Sequence, residues 1–403
     1  MNNIDLVILA GGKGTRIRKL SNYPKPFIKF NNLHFLDYLM QNYLLYSFKN
    51  IYILAGYKGD QIKKKYHQKK YNLKKINVII EKKIMDTGGA LYNLKSIIKN
   101  DFVLVNGDSI LDIDLDKFIK KKLNKNLLKI ALIKKKFSKN KNKLGNLNLK
   151  KDQIVLSENS KYMNSGIYHC SKKLLQKIKN EKKSLENEII PNLIEKKKIS
   201  GEIIKNNFFL DIGTPYYFRK SATILRNLFK KPAVFFDRDN TLIYDKGYTH
   251  KLKDLKFCNK SIEAIKFLIK KKYYVFLITN QAGIAKGFFK EKDFFLFQEF
   301  MSSKMKQEGA YFHDVEFCPY HPKALVKKYK KKTGLRKPGN MMIKNIENKW
   351  LINKTRSFMI GDSFTDKETA KKSKIYFEYV KNDLLFQVKS IIKKLDRRFK
   401  KSS

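Results

Sequence analysis

An apolar run ends on two carboxylates one residue apart in Val234-Phe235-Phe236-Asp237-Arg238-Asp239-Asn240-Thr241. A buried strand that stops this way sets both carboxylates at the carboxyl edge of a sheet, where open α/β folds hold their chemistry. An Asp/Asn-rich turn after any strand leaves the same local pattern, so the neighbouring sequence has to decide. The run also begins past the middle of a 403-residue chain. A second body of structure, large enough for its own core, must therefore precede it.

Downstream segments repeat the form. Val275-Phe276-Leu277-Ile278-Thr279-Asn280-Gln281 is an apolar run reaching a hydroxyl, and Arg336-Lys337-Pro338 supplies a cation. Phe358-Met359-Ile360-Gly361-Asp362-Ser363 ends on another carboxylate, with Asp366 one helical turn later. This ordered set resembles the haloacid dehalogenase (HAD) phosphatase superfamily, whose nucleophile motif is Asp-x-Asp-x-Thr after a hydrophobic strand. The resemblance implies that Asp237 attacks a phosphoryl group and that Asp239 passes protons to and from the leaving oxygen. It implies that the Thr279 hydroxyl binds the transferring group and that Lys337 pairs with the nucleophile and phosphate oxygens. Magnesium would be held by Asp237, the backbone carbonyl of Asp239, and Asp362, with Asp366 behind them. A carboxylate can attack a phosphate dianion once a cation screens its charge.

Within the superfamily, Tyr248-Thr249-His250, Thr279-Asn280-Gln281-Ala282-Gly283-Ile284, Cys318-Pro319-Tyr320-His321-Pro322 and Arg336-Lys337-Pro338-Gly339 resemble the histidinol-phosphate and heptose-bisphosphate phosphatase branch. That branch has a small cap, so Asn280, Arg336 and the loop from Cys318 are the implied substrate readers. Asn240 stands where the branch has Gly. Many relatives carry a structural zinc on a Cys-x-His and Cys-x-Cys set in this loop. Here Tyr320 follows Cys318 by two residues and 323–335 contains no cysteine. Tetrahedral zinc takes four ligands and Cys318 with His321 offers two, so zinc is expected to be absent.

The first half opens with a buried-type strand, Ile4 to Ala10, running directly into Gly11-Gly12-Lys13-Gly14-Thr15-Arg16. Glycines after a strand let backbone N–H groups close on a phosphate. Ile17 occupies the place of a third glycine, so the loop is not the dinucleotide fingerprint, nor is it a Walker loop. Together with Pro24-Lys25-Pro26, the stretch from Leu9 and Ala10 to Arg16 resembles the signature of the sugar-1-phosphate nucleotidyltransferases. Those enzymes join a sugar phosphate to a nucleoside triphosphate and release pyrophosphate. The resemblance assigns nucleotide binding to Leu9, Ala10, Gly11, Gly12, Gly14, Thr15, Arg16, Lys25, Gly88 (in Asp86-Thr87-Gly88-Gly89-Ala90) and Asp108 (in Asn106-Gly107-Asp108). It implies a second magnesium on Asp108 and Asp211, oxygen ligands of the kind that ion prefers. Arg16 and Lys25 would neutralise phosphate charge during in-line attack on the α-phosphorus, with no protein nucleophile. In Tyr162-Met163-Asn164-Ser165-Gly166-Ile167-Tyr168, Asn164 is the implied sugar contact. Glu158 matches the Glu of a common Glu-Lys pair, but residue 159 is Asn, leaving Lys161 as the alternative cation.

The expected architecture is α/β with two domains. A Rossmann-like nucleotidyltransferase (GT-A-like) domain with a mixed sheet spans 1–229, and a HAD-like parallel-sheet domain with a minimal cap spans 233–395. The net charge of +52 raises the question of nucleic acid. The basic residues are nearly all Lys, spread through every segment, whereas Arg is the residue expected where phosphates or bases are gripped in fixed geometry. Solvated surface lysine is the preferred reading, and no nucleic-acid partner is expected. Three scattered cysteines imply no disulfide framework. No apolar run is long enough to span a bilayer, and no signal peptide is read at the start, so a cytoplasmic protein without membrane partners is expected. Joined, the halves resemble a heptose-1-phosphate guanylyltransferase and a heptose-1,7-bisphosphate 7-phosphatase. Their substrates would be heptose phosphates and GTP. Another base or sugar, a histidinol-phosphatase specificity, and a nucleic-acid-binding protein with decayed enzyme domains stay open as alternatives.

Overall fold

Asp5–Ala10, six buried residues without a polar break after Asp5, is the strand around which the first half is built. A run apolar on both faces suits the interior of a sheet covered on both sides. It pairs in parallel with Ile51–Ala55 and with Phe102–Asn106. The computed structural model describes residues 4–402 apart from 13, 15, 16, 18, 19, 47, 136–146, 206 and 207. The chain divides into two compact units, Met1–Ile224 and Leu225–Ser403.

Among the described residues the first unit holds a ten-stranded mixed sheet. Its strands run Leu147–Lys150, Gln153–Leu156, Ile199–Ile203, Leu128–Lys134, Tyr162–Cys170, Phe102–Asn106, Asp5–Ala10, Ile51–Ala55, Lys74–Ile80 and Lys70–Tyr71. Tyr162–Cys170 is antiparallel to both neighbours, and its register shifts between Asn164 and Tyr168. Gly166 sits in that irregularity with φ +79°, a conformation that favours glycine. Val7, Leu104, Ile130, Tyr168, Leu185 and Ile199 belong to one buried cluster across this sheet. A separate pairing joins Ser109–Leu111 to Phe209–Asp211, with Asp211 opposite Ser109. Helix Pro215–Phe229 begins on a proline. Thr214 Oγ1 accepts from Tyr217 N at 3.5 Å, and proline after such a cap has its φ already set for the first helical position.

In the second unit the order is Asp314–Cys318, Tyr274–Asn280, Ala233–Phe236, Phe358–Gly361 and Tyr376–Tyr379, five strands among the described residues and all parallel. Parallel pairing requires crossovers, here including helices Ser261–Lys270, Glu291–Gln307 and Phe364–Lys372. Phe235, Phe276, Ile278, Met342, Trp350 and Met359 share its core. Ala233–Phe236 lies in the middle, so Asp237 emerges from the centre of the carboxyl edge, flanked by Thr279 and Asp362 on the adjacent strands. No helix among the described residues is long and apolar enough to cross a membrane.

Candidate active sites

In the first unit, antiparallel pairing of 109–111 with 209–211 carries Asp108 and Asp211 to neighbouring positions, 103 residues apart in sequence. Ile212 N donates to Asp108 O at 3.0 Å. Lys25 enters from the short 3-10 turn Lys25–Phe27, where Pro24 and Pro26 limit the backbone, and its Nζ lies 2.7 Å from Asp108 Oδ2. Asp211 Oδ1 accepts from Gly213 N at 2.7 Å. A Cβ built on Gly213 would fall 2.8 Å from Asp211 Oδ1, 2.8 Å from Lys25 Nζ and 3.1 Å from Asp108 Oδ2. The two carboxylates and the lysine therefore converge on one small volume.

The glycine loop lies against this centre. Gly107 N donates to Leu9 O at 2.8 Å, and a Cβ on Gly107 would be 2.3 Å from that oxygen, so the strand tips of Leu9–Ala10 and Asn106 are in direct contact. Gly14 has φ +63° and faces the Lys25 side chain, and Gly12 is open to its surroundings. Gly11 abuts Glu81 Oε1. Burial raises the pKa of Glu81, a residue that sequence reasoning passed over. Thr15, Arg16 and Lys13 lie outside the described residues. Asn164 is buried and engaged within its own strand: Nδ2 donates to Tyr168 Oη at 2.8 Å and Oδ1 accepts from Gly166 N at 2.9 Å. Glu158 is exposed on the turn after Gln153–Leu156, and Gly88 is buried in a helical turn packed on 183–189.

The second unit builds a tighter cluster. Lys337 Nζ lies 2.8 Å from Asp237 Oδ1 and 2.6 Å from Asp366 Oδ1, with the lysine side chain 1% exposed. Arg238 N also donates to Asp237 Oδ1, at 2.7 Å. Burial, reinforced by the Asp366 and Asp239 carboxylates, pushes the Asp237 carboxyl up to about 7, and Lys337 opposes this. Carboxylate oxygens of Asp237, Asp362 and Asp366 all lie within 4.8 Å of one another. Such hard oxygen donors around one point suit a divalent cation like magnesium.

Around this cluster is a cavity of about 290 Å³ lined by Asp239, Asn240, Asn280, Gln281, Lys286 and Arg336 among others. Asn280 brackets the backbone of Lys337, accepting from Lys337 N at 3.0 Å and donating to Lys337 O at 3.1 Å. Gln281 Nε2 donates to Asp239 Oδ2 at 3.0 Å and to Thr279 Oγ1 at 2.8 Å. Arg238, 1% exposed, holds the other oxygen of Asp239 at 2.8 Å. Lys286, missed in the sequence, reaches the cavity and donates to Tyr248 Oη at 2.6 Å. In the loop beyond, the Cys318 thiol donates to Tyr320 O at 3.7 Å and His321 Nδ1 accepts from Lys323 N at 3.0 Å.

The Nucleotidyl transferase family matches residues 6–227, and the Polynucleotide kinase 3 phosphatase family matches 232–393. A D-glycero-beta-D-manno-heptose-1,7-bisphosphate 7-phosphatase of Photorhabdus laumondii is 40% identical over 144 residues, covering 36% of this chain and 77% of that protein. One of the same description from Rhodopseudomonas palustris is 36% identical over 169 residues, covering 42% and 94%. The crystal structure of HddC from Yersinia pseudotuberculosis is 28% identical, covers 55% of this chain and 99% of that one, and has a TM-score of 0.47.

Proposed function

The chain belongs to the nucleotidyl transferase family over its first half and to the family of the heptose-bisphosphate 7-phosphatases over its second, and on that premise we propose that it carries out two consecutive steps of nucleotide-activated heptose synthesis. The second unit removes the 7-phosphate of a D-glycero-D-manno-heptose 1,7-bisphosphate. The first transfers GMP from GTP to the resulting 1-phosphate and releases pyrophosphate. The observation that supports this reading is that each unit gathers its own carboxylate and lysine cluster at strand tips.

In the phosphatase, Lys337 sits against Asp237 and keeps a buried carboxyl available as an anion, the form that attacks phosphorus. Attack forms an aspartyl phosphate on Asp237. Asp239, oriented by Arg238 and Gln281, gives a proton to the departing sugar oxygen and takes one from the water that hydrolyses the acyl phosphate. Asn280 and Arg336 line the space where phosphate and sugar would lie, and the buried Thr279 supports it through Gln281, whose Nε2 donates to the Thr279 hydroxyl. Magnesium held by Asp237, Asp362 and the Asp239 carbonyl would supply charge neutralisation of the phosphoryl oxygens. Zinc has no part in this proposal, because Cys318 and His321 offer two ligands where tetrahedral zinc takes four.

In the transferase the sugar phosphate is itself the nucleophile, so this chain's task is to align two anions. The backbone around Gly11, Gly12 and Gly14 closes on the triphosphate, and Lys25 holds Asp108 in place while offsetting charge at the reacting phosphates. Asp108 and Asp211 would hold a second magnesium. The test is to incubate the protein with the bisphosphate, magnesium and each nucleoside triphosphate separately. Phosphate release in every mixture with pyrophosphate release only alongside GTP is the expected result. Pyrophosphate release with another nucleotide instead would overturn the guanylyl assignment, and no phosphate release would overturn the 7-phosphatase.

A further inference from the structure

In the first unit, two loops distant in sequence are bolted together. Gly88 N and Gly89 N both donate to Lys183 O, at 2.8 and 2.9 Å, and Lys183 N donates to Met85 O at 3.0 Å. The approach leaves no room for side chains: a Cβ on Gly88 would fall 2.5 Å from Ile189 Cδ1, and one on Gly89 2.3 Å from Glu181 O. The second loop continues as a π-helical turn, Leu185–Ile189, a rare form concentrated at functional sites.

That turn sets Glu186 against Thr87. Thr87 Oγ1 donates to Glu186 Oε2 at 2.5 Å and accepts from Leu185 N at 2.9 Å. A hydroxyl carries one proton, and with that proton directed at Glu186 the carboxylate is fixed as an acceptor. Its neighbour Glu188 has a structural duty, since Glu188 Oε1 takes Ser184 N at 2.8 Å. Glu186 has no such duty. It is half-buried, and Thr87 is its one hydrogen-bond partner among the described residues.

Tyr168 lies within electrostatic reach of Glu186. Its phenol is buried and accepts from Asn164 at 2.8 Å. Burial first, then the Glu186 carboxylate and more weakly Asp108, hold it well above its ordinary pKa. That hydroxyl, bonded to Asn164, lies next to the irregularity at Gly166 that borders Asn106. Glu158, the carboxylate that the sequence offered for sugar binding, is exposed on a turn.

We propose that Glu186 is the specificity-determining residue that reads the hydroxyls of the sugar 1-phosphate, with Thr87 holding it in position. This rests on the first unit being a sugar-1-phosphate nucleotidyltransferase. Hydroxyls donate to a carboxylate in charge-assisted bonds, which are stronger than neutral ones. The test is steady-state kinetics of the full chain with GTP, heptose 1-phosphate and analogues each lacking one hydroxyl, comparing wild type with Glu186→Gln. The KM for heptose 1-phosphate should rise roughly tenfold to a hundredfold, with the KM for GTP within about twofold. One deoxy analogue should lose the same factor against wild type and nothing further against the variant, the signature of a coupled pair. Equal rises in both KM values, matched by Thr87→Val together with a lower melting temperature, would reduce Glu186 to a bolt between loops and overturn the proposal. An unchanged sugar KM would overturn it as well. Wild-type protein that makes no pyrophosphate from any sugar 1-phosphate would instead remove the parent reading, a result distinguishable from either.

Discussion

Replacing Gly213 by Ala places one methyl group at the centre of the proposed transferase cluster. The backbone at Gly213 does not use the left-handed region, so alanine can adopt it without strain. The new carbon would stand 2.8 Å from Asp211 Oδ1, 2.8 Å from Lys25 Nζ and 3.1 Å from Asp108 Oδ2. Carbon to oxygen contacts normally begin at about 3.3 Å, so these atoms have to withdraw by roughly half an ångström. Asp211 has little freedom to do so, because the same Oδ1 is held by Gly213 N at 2.7 Å. A misplacement of one ångström in a charge-aligning site costs on the order of 10²-fold in rate, so a shift of about half that should cost roughly tenfold, about 1.4 kcal/mol of transition-state stabilisation. The change in stability should be small, since the gain of about 0.4–1 kcal/mol from a less flexible unfolded chain is set against the movement of side-chain ends that the new methyl group requires. The assay is pyrophosphate release from GTP and heptose 1-phosphate, with phosphate release from the bisphosphate measured on the same sample. Transfer within about threefold of wild type, with the phosphatase intact, would refute the claim that Lys25, Asp108 and Asp211 form the reacting centre.

Asp237→Asn should lower phosphate release on the order of 10⁴-fold while heptose 1-phosphate is still nucleotidylated; joint loss in a folded variant would contradict two independent centres. A zinc-selective chelator should leave phosphatase rate and melting temperature unchanged, whereas excess EDTA should abolish turnover reversibly on magnesium addition; a zinc-dependent melting temperature would refute the reading of the Cys318 loop. Lys349, 3% exposed, lies 2.6 Å from Asp314 and 2.8 Å from Glu316, so Lys349→Met takes the cation from a buried carboxylate and should destabilise the second unit by about 3–5 kcal/mol, read by urea denaturation. His313 is pushed down to about 3, first by burial and then by Lys231, against 6.5 when unfolded. Stability from its neutral form is full above pH 6.5 and falls as pH drops towards 3, by about 2 kcal/mol at pH 5. The single tryptophan, Trp350, whose ring centroid is 5.7 Å from that of His313, reports this unit. In His313→Gln, which keeps an acceptor for Val275 N, the slope between pH 6.5 and 5 should lessen by that amount; an unchanged slope would count against the assignment.

Chemistry at strand tips was legible because apolar runs and the polar residues that end them are adjacent in sequence. Asp237, Thr279 and Asp362 could be assigned to one sheet edge from pattern alone, and the parallel order of their strands agrees. What pattern could not carry is any role created by a partner far along the chain. Thr87 and Glu186 meet across 99 residues, and Asn280 grips the backbone of Lys337 across 57. Lys286 is one lysine among many in a chain of this charge, and only its contact with Tyr248 at the cavity separates it from the others. The start of the helix at Pro215 has a local signal in Thr214-Pro215, which hydrophobic spacing alone overlooks.

The two centres differ in how far each lysine is enclosed, and the proposed mechanisms account for this by where the nucleophile comes from. In the proposed phosphatase the nucleophile is the protein's own carboxylate, and a carboxyl buried at 8% exposure tends to neutralise. Lys337 is accordingly enclosed at 1% exposure between Asp237 and Asp366, where the interaction is little screened by solvent. A buried pair of this kind contributes little net stability relative to an apolar core, yet losing one member costs several kcal/mol, so Lys337→Met should lower stability as well as rate. The proposed transferase reaction needs no protein anion as nucleophile, and its cluster would admit a triphosphate and a sugar phosphate together. Lys25 and Asp108 retain 12% and 26% exposure, so Lys25→Met should remove transfer with a much smaller change in melting temperature. Measuring both substitutions for rate and stability tests this argument, which fails if the two lysines carry equal stability costs.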